Sequence, residues 1–421
     1  MRMVRVNLIV SLVLLLSASA AAQGADRIRS DHSATPWKQL AKLTEAKGRS
    51  EDYVGWSVAI SKDGGTVVVG AAGWCRYKGY DGCGQGAVFV FVKSTSGWSD
   101  MTETALLTAS DGQPGDYLGE SVAISDDGST IVAGSPGWPA VYVFVKAQTG
   151  WTDATQKARL TATDSGTNLG QSVALSGETI VGGGQYFNGE QGAAYVFVEP
   201  KSGWTDMTQT ARLTPSDGKG GFMGVSVSIS GDTVVAGAPV SGASGAGNGA
   251  YLFVKPKNGW KNKTEDAKLT PSGGTRLGYS VSISGGTVAV GARFWNNREG
   301  AVYVYVKPVQ GWRSMTETAR LTVPLKFNLL GYSVSVDNDG NDIVGGAPGW
   351  QGQGAIDLFA KPASGWKTTS KAKTRLTATD GRNMDNLGFS VSASSTAIAA
   401  GAPYAPIKSN PEEGAVYVFG R

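Results

Sequence analysis

Histidine is all but missing: the 421 residues contain one, His32. Nucleophilic and general-base catalysis most often recruit an imidazole held in a rigid constellation, whereas His32 lies in a polar stretch ahead of the first strand. No Ser/His/Asp arrangement and no histidine-bearing metal cluster can be built, and the chain is expected to be non-enzymatic and without a cofactor. Cysteine is nearly as scarce. Cys75 and Cys83 are the only two, and they lack the CxxC spacing of redox and zinc sites. In an exported chain such a local pair is expected to form a disulfide that closes one loop. Charge is sparse at 17%, and the 38 basic and 34 acidic residues are scattered without a basic block. That pattern excludes nucleic acid as a partner.

Long apolar runs are missing too, with one exception. The run from Leu8 to Leu16 is interrupted by Ser11 and falls short of the ~20 residues of a membrane span. Arg2 and Arg5 precede it and the small residues SASAAAQ follow it, the order of a secretory signal. Residues 1–22 are therefore expected to be cleaved near Ala20 or Ala22, leaving a flexible segment at 23–36 and a secreted or periplasmic protein. No cysteine stands at the cleavage site, so a lipid anchor is not expected. Nothing else could span a bilayer, and a monomer is expected. Helical periodicity is absent as well, because glycine interrupts every candidate window.

What the chain has in abundance is glycine, 60 residues, and the glycines fall on a ruler. Gly55, Gly119, Gly170, Gly224, Gly278, Gly331 and Gly388 each precede an xSV-like run, at spacings of 64, 51, 54, 54, 53 and 57 residues. A second ruler, the Gly-Trp pairs at Trp98, Trp151, Trp204, Trp260, Trp312 and Trp366, gives 53, 53, 56, 52 and 54. Two rulers that agree mean a tandem array of seven units.

The fourth unit reads most plainly. Val225 to Ser230 alternates apolar and small polar residues, as a strand does. Gly231-Asp232 makes a hairpin turn, Thr233 to Ala238 is a β-branched second strand, Ala250 to Lys255 an aromatic third, and Ala267 to Thr270 a short fourth. Four antiparallel strands per unit make a propeller blade. The last unit stops at its third strand, and the missing fourth lies at the other end, where residues 37–44 (WKQLAKLT) match the A-x-L-T ending of the rest. The expected fold is an all-β, seven-bladed β-propeller of four-stranded antiparallel blades over 37–421, closed by the N-terminal strand. Its blades run over about 54–108, 117–161, 168–214, 222–270, 276–322, 329–377 and 386–419 with 37–44.

The LG-x-S-V and G-A-P elements resemble the FG-GAP repeat of the integrin α-subunit N-terminal propeller. More closely, the chain is similar to bacterial exported FG-GAP proteins, whose repeats carry GAVYVF and GW…A-x-LT. The GAP triplet is intact at Gly237-Ala238-Pro239, Gly346-Ala347-Pro348 and Gly401-Ala402-Pro403. It is altered at Gly70-Ala71-Ala72, Gly134-Ser135-Pro136, Gly182-Gly183-Gly184 and Gly291-Ala292-Arg293. The resemblance implies calcium loops between the first two strands. The nearest match is Asp337, Asp339 and Asp342, but the first and last ligand positions fall on Ser335 and Ile343. Calcium wants six or more oxygens, so a plain hairpin turn is expected there, with calcium as the alternative.

With four antiparallel strands, the turns joining strands one to two and three to four share one face, and the variable loops share the other. Variable loops on a constant scaffold carry binding. Just after the G-A-x triplet six repeats place aromatics in these loops: Trp74, Trp138, Tyr186 with Phe187, Trp295 with Phe294, Trp350, and Tyr404. They either present a rim that binds a ligand or wedge between blades. The Gly-Trp tryptophans, in identical surroundings, are expected to anchor turns. Asp111, Asp164, Asp217 and Asp380 are turn formers that could also bond ligand hydroxyls. The expected function is an adhesion or binding propeller for a glycan or an extracellular protein. The alternatives are a carbohydrate-active enzyme, a lyase or glycosidase, and a structural surface module without a ligand.

Overall fold

The computed structural model describes residues 36–76, 83–218, 220–240, 247–273 and 275–421. The expected signal at 1–22 and His32 lie outside them. Gln39–Gly420 form one compact unit, to which the following description applies.

Seven antiparallel sheets succeed one another along the chain. Their inner strands are Ser57–Ile60, Ser121–Ile124, Ser172–Ser176, Ser226–Ser230, Val281–Ser284, Val334–Val336 and Ser390–Ala393, which number the blades one to seven. Each inner strand touches the next, and the seventh touches the first, so the array is a closed ring. Blade seven has the order Ser390–Ala393, Ala397–Ala402, Ala415–Gly420, then the N-terminal strand Lys38–Thr44. The two ends of the chain thus share one sheet, and no blade edge is left open at the junction.

Five of the blades, one to four and seven, also receive an addition that the periodicity did not announce. Two-residue segments just ahead of an outer strand pair in parallel with the outer strand of the preceding blade, as Met101–Thr102 does with Leu43 and Thr44. The second residue after each Gly-Trp explains this: Asp100 accepts the Lys42 backbone N–H at 2.7 Å and Asp153 that of Leu106 at 2.8 Å, and Asn262, Ser314 and Thr368 take the same role later in the chain. The junction uses the same device, with Gln39 accepting the Thr379 N–H at 3.0 Å as Gln156 accepts that of Ser110 at 2.9 Å.

The third strands are buried along almost their whole length because a blade is packed on both faces. Tyr142 and Phe144 of blade two meet Val88 and Val90 of blade one in one cluster. Each such ring contributes ~1.5–3 kcal/mol on burial. The serines of the inner strands, the small polar residues of the alternation, bond the next blade. Ser57 donates to Gly119 O at 2.7 Å, Ser226 to Gly278 O at 3.1 Å, and Ser390 carries the series across the junction to Gly55 O at 2.8 Å.

The two glycine motifs turn out to be one contact. Gly119 has φ +89°, and a Cβ on the GAP glycine Gly70 would lie 1.9 Å from Gly119 O. The backbones of adjacent blades meet there too closely for any side chain. This corrects one register: in blade three the glycine against the next blade is Gly183, beside Gly224 O, so its triplet is Gly183-Gly184-Gln185 and not Gly182-Gly183-Gly184. Two short helical turns, Phe187–Glu190 and Trp295–Arg298, contain positive φ at Asn188 and Asn296 and are loop structure.

Candidate functional site on the loop face

The loop aromatics separate into two groups. Trp138, Phe187, Trp295 and Trp350 each lie beside the basic residue of their own blade's outer strand, with Arg159, Arg212, Arg320 and Arg375 at 5.7, 4.5, 4.9 and 5.3 Å from the ring centres. Trp74 follows them with Leu106 in the basic position; it joins that residue's cluster and donates its indole N–H to Glu45 at 3.3 Å. The loop aspartates complete the stacks. Tyr142 donates to Asp111 at 3.0 Å, Tyr195 to Asp164 at 3.1 Å and Tyr417 to Asp380 at 2.9 Å. Arg212 and Lys42 bond Asp164 and Asp380 at 2.8 and 2.6 Å, and Lys268 pairs with Asp217. In blade six Asp357 stands in the tyrosine position and takes a two-pronged bond from Arg375, 2.8 and 2.6 Å. Each of these loop aspartates thus has a partner within the ring.

The second group lies at the mouth of the central channel, and most of it was not anticipated. Tyr186, Phe294 and Tyr404 are one residue earlier in their loops, and Phe294 and Tyr404 meet aromatics from another column, the residue after each ruler glycine. That column reads Trp56, Glu120, Gln171, Val225, Tyr279, Tyr332 and Phe389, all half-buried. Phe389 is 4.8 Å from Trp56 and 4.9 Å from Tyr332 between ring centres. Tyr404 lies 6.0 Å from Phe389 and 5.6 Å from Tyr53, and Phe294 5.4 Å from Tyr279. Tyr186 meets Phe222 at 6.1 Å. Blades five, six, seven and one thus carry a belt of rings around the mouth.

Blades two and three complete the mouth with polar groups. Gln171 donates to Glu120 at 3.0 Å and accepts from Asn168 at 3.0 Å and Gln185 at 3.2 Å. Burial holds the Glu120 carboxyl above its ordinary range, against the lowering effect of hydrogen bonds from Trp56 and Gln171. Burial and the Glu412 carboxylate together push the Tyr53 hydroxyl up to about 12. A hollow of about 470 Å³ opens here, lined among others by Tyr53, Trp56, Tyr117, Glu120 and Gln171. At the other end the hairpin turns draw together, and Asn338 of blade six donates to Lys62 O of blade one at 3.0 Å, past blade seven.

The calcium candidates sit at that turn end. Asp337 accepts the backbone N–H groups of Asn341 and Asp342 at 2.8 and 3.0 Å, and Asp339 accepts the Ser395 hydroxyl at 3.0 Å. Among the described residues no three His, Cys, Asp or Glu side chains converge on a metal position, and this loop does not fit the ion. Of the Gly-Trp tryptophans, Trp151, Trp204, Trp260 and Trp366 are buried, and Trp98 and Trp151 donate to the turn carbonyls of Gly64 and Gly128 at 3.0 and 3.2 Å. Cys75 and Cys83 are bonded to each other, with Cα atoms 5.5 Å apart. Among the described residues no helix is long and apolar enough to cross a membrane.

Six segments, residues 37–91, 101–144, 154–197, 207–253, 264–305 and 371–419, match the FG-GAP repeat family. Each joins an outer strand to the three inner strands of the following blade, the same offset that splits blade seven between the chain ends. The inner strands of blade six, Val334–Val336, Asp342–Ala347 and Ala355–Ala360, fall between matched segments and still form a blade. No curated protein matches the chain.

Proposed function

The chain belongs to the FG-GAP repeat family, and on that premise we propose that it is an exported, non-enzymatic binding propeller that takes a glycan at its channel mouth. The observation that carries this reading is the belt itself. Trp56, Phe389, Tyr332 and Tyr279 have other mouth groups as their partners, next to the Glu120–Gln171–Asn168 chain of hydrogen bonds. Sugar rings stack their C–H faces on aromatic rings while their hydroxyls seek carboxyl and amide groups, and this mouth offers both on one rim.

Glycoside cleavage generally uses two carboxyls flanking the bond; Glu120 is held in the hydrogen-bonded chain and Glu51 lines the same hollow, so the non-enzymatic reading is tested by product analysis. The test is a glycan array on the purified chain, followed by titration of the hits and product analysis. Saturable binding without product supports the reading. Turnover would make it a carbohydrate-active enzyme, and no binding to any glycan would leave protein adhesion or a structural role.

A further inference from the structure

One residue at the mouth breaks both the family pattern and the belt. Where blades four, six and seven have the proline of the triplet, Pro239, Pro348 and Pro403, blade five has Arg293. Its guanidinium is surrounded by three rings, 4.0 Å from the centre of Tyr279, 4.8 Å from Phe294 and 4.8 Å from Tyr332. Ring faces attract a cation without neutralising it. Among the described residues Arg293 forms no ion pair within 4.0 Å, and its Nε is buried without a hydrogen-bond partner. Of the outer-strand arginines, Arg159, Arg212 and Arg375 each have an aspartate; among the described residues Arg320 forms no such pair either but lies in an outer stack on Trp295, whereas Arg293 stands among the mouth rings. Arg276, in the loop entering blade five, and Arg298, whose carbonyl accepts the Leu329 N–H of blade six at 3.0 Å, are exposed on the same face.

We infer that Arg293 receives an acid group on the bound sugar, and that the ligand is an acidic glycan held by a two-pronged guanidinium–carboxylate contact while its rings stack on the aromatic belt. A planar guanidinium matches a carboxylate in geometry. The inference rests on the glycan reading above. A sulfate ester would offer related oxyanion chemistry, and the experiment separates the two.

The test titrates the purified chain with a uronic-acid oligosaccharide, a sulfated oligosaccharide and a neutral one of equal length, alongside Arg293→Pro, Arg293→Lys and Arg293→Gln. Arg293→Pro restores the family triplet, and no backbone bond donated by the Arg293 N–H is present to be lost, so the fold is expected to persist. Expected is a preference of about tenfold or more for the uronate over the neutral chain. It should weaken with salt, shrink in Arg293→Lys, which keeps the charge without the fork, and vanish in Arg293→Pro and Arg293→Gln, read as the ratio of uronate to neutral affinity within each folded variant. Equal affinity for acidic and neutral chains, or a preference that survives Arg293→Pro, overturns the inference and leaves the glycan reading standing. Preference for the sulfated chain overturns the carboxylate assignment. Failure of all three to bind overturns the glycan reading itself.

Discussion

Trp138 and Trp56 are tryptophans on the same face of adjacent blades, yet they have opposite surroundings. Trp138 is 56% exposed and still has an internal partner, the Arg159 side chain, itself directed at Asp111 3.7 Å away. Trp56 is half-buried and faces Phe389 and Tyr53, rings that belong to the mouth as it does. The outer stacks recur in the blades whose outer strand offers an arginine, which marks them as part of how a blade is finished. The belt recurs in only four blades and changes residue type from blade to blade. Exposure alone selects Trp138, whereas the lack of a repeated internal partner selects Trp56 as the candidate.

The comparison assumes an intact ring, and the largest effect should come from removing what closes it. Deleting residues 39–44 exposes the third strand of blade seven and leaves the buried Leu43 and Ala41 positions empty. Thermal unfolding should show loss of the cooperative transition or a drop well beyond that of any point variant, with both aromatic groups affected together. A ring that melts as before would break the account of closure.

Next in size is Asp357→Ala. Asp357 is fully buried against Arg375, and removing one partner of a buried pair costs ~3–5 kcal/mol. Denaturant unfolding should register that loss. A variant within ~1 kcal/mol of the parent would mean the outer stacks contribute little.

The seam between the closing strand and blade one supplies a pH test. Burial, with the neighbouring Asp52 carboxylate, pushes the Glu45 carboxyl up to about 9, and burial raises Asp52 to about 6. The folded chain therefore holds a proton that the unfolded chain releases near the ordinary carboxylate range. Stability is fullest below that range and declines as pH rises toward 9. The melting temperature should fall by several degrees between pH 5 and 9, and Glu45→Gln should flatten the curve. A rise with pH would contradict the assignment.

Trp138→Ala should have the smallest effect, ~0.5–1 kcal/mol from a lost exposed cation–π contact. Ligand binding should be unchanged. A loss of binding there would move the site from the mouth to the outer stacks.

The fold was legible because it repeats: two glycine-based rulers and a split last unit lead to seven blades and a closing strand without any contact being known. Glycine is informative here for a physical reason, since Gly70 and Gly119 sit where adjacent backbones touch. The run Gly182-Gly183-Gly184 defeated the same logic, because three glycines in a row carry no register. The site was legible only in part. Tyr186 and Tyr404 were found from their loops, but Trp56, Tyr279, Tyr332 and Phe389 stand one residue past a motif glycine, in a column that also holds Glu120, Gln171 and Val225. A column of mixed chemistry looks like filler until the ring brings its members side by side. The outer stacks were hidden for a similar reason: the arginine before the L-T of each outer strand and the ring it meets are 21 to 25 residues apart, and only the blade joins them.

The central claim is that the inner belt, and not the outer stacks, binds. Calorimetric titration of one array-selected oligosaccharide into the parent chain, Trp56→Ala/Phe389→Ala and Trp138→Ala/Trp350→Ala tests it most directly, with circular dichroism confirming that each variant is folded. The account predicts at least a tenfold loss of affinity for the first pair and parental affinity for the second. Parental affinity in folded Trp56→Ala/Phe389→Ala, or loss confined to Trp138→Ala/Trp350→Ala, would contradict it.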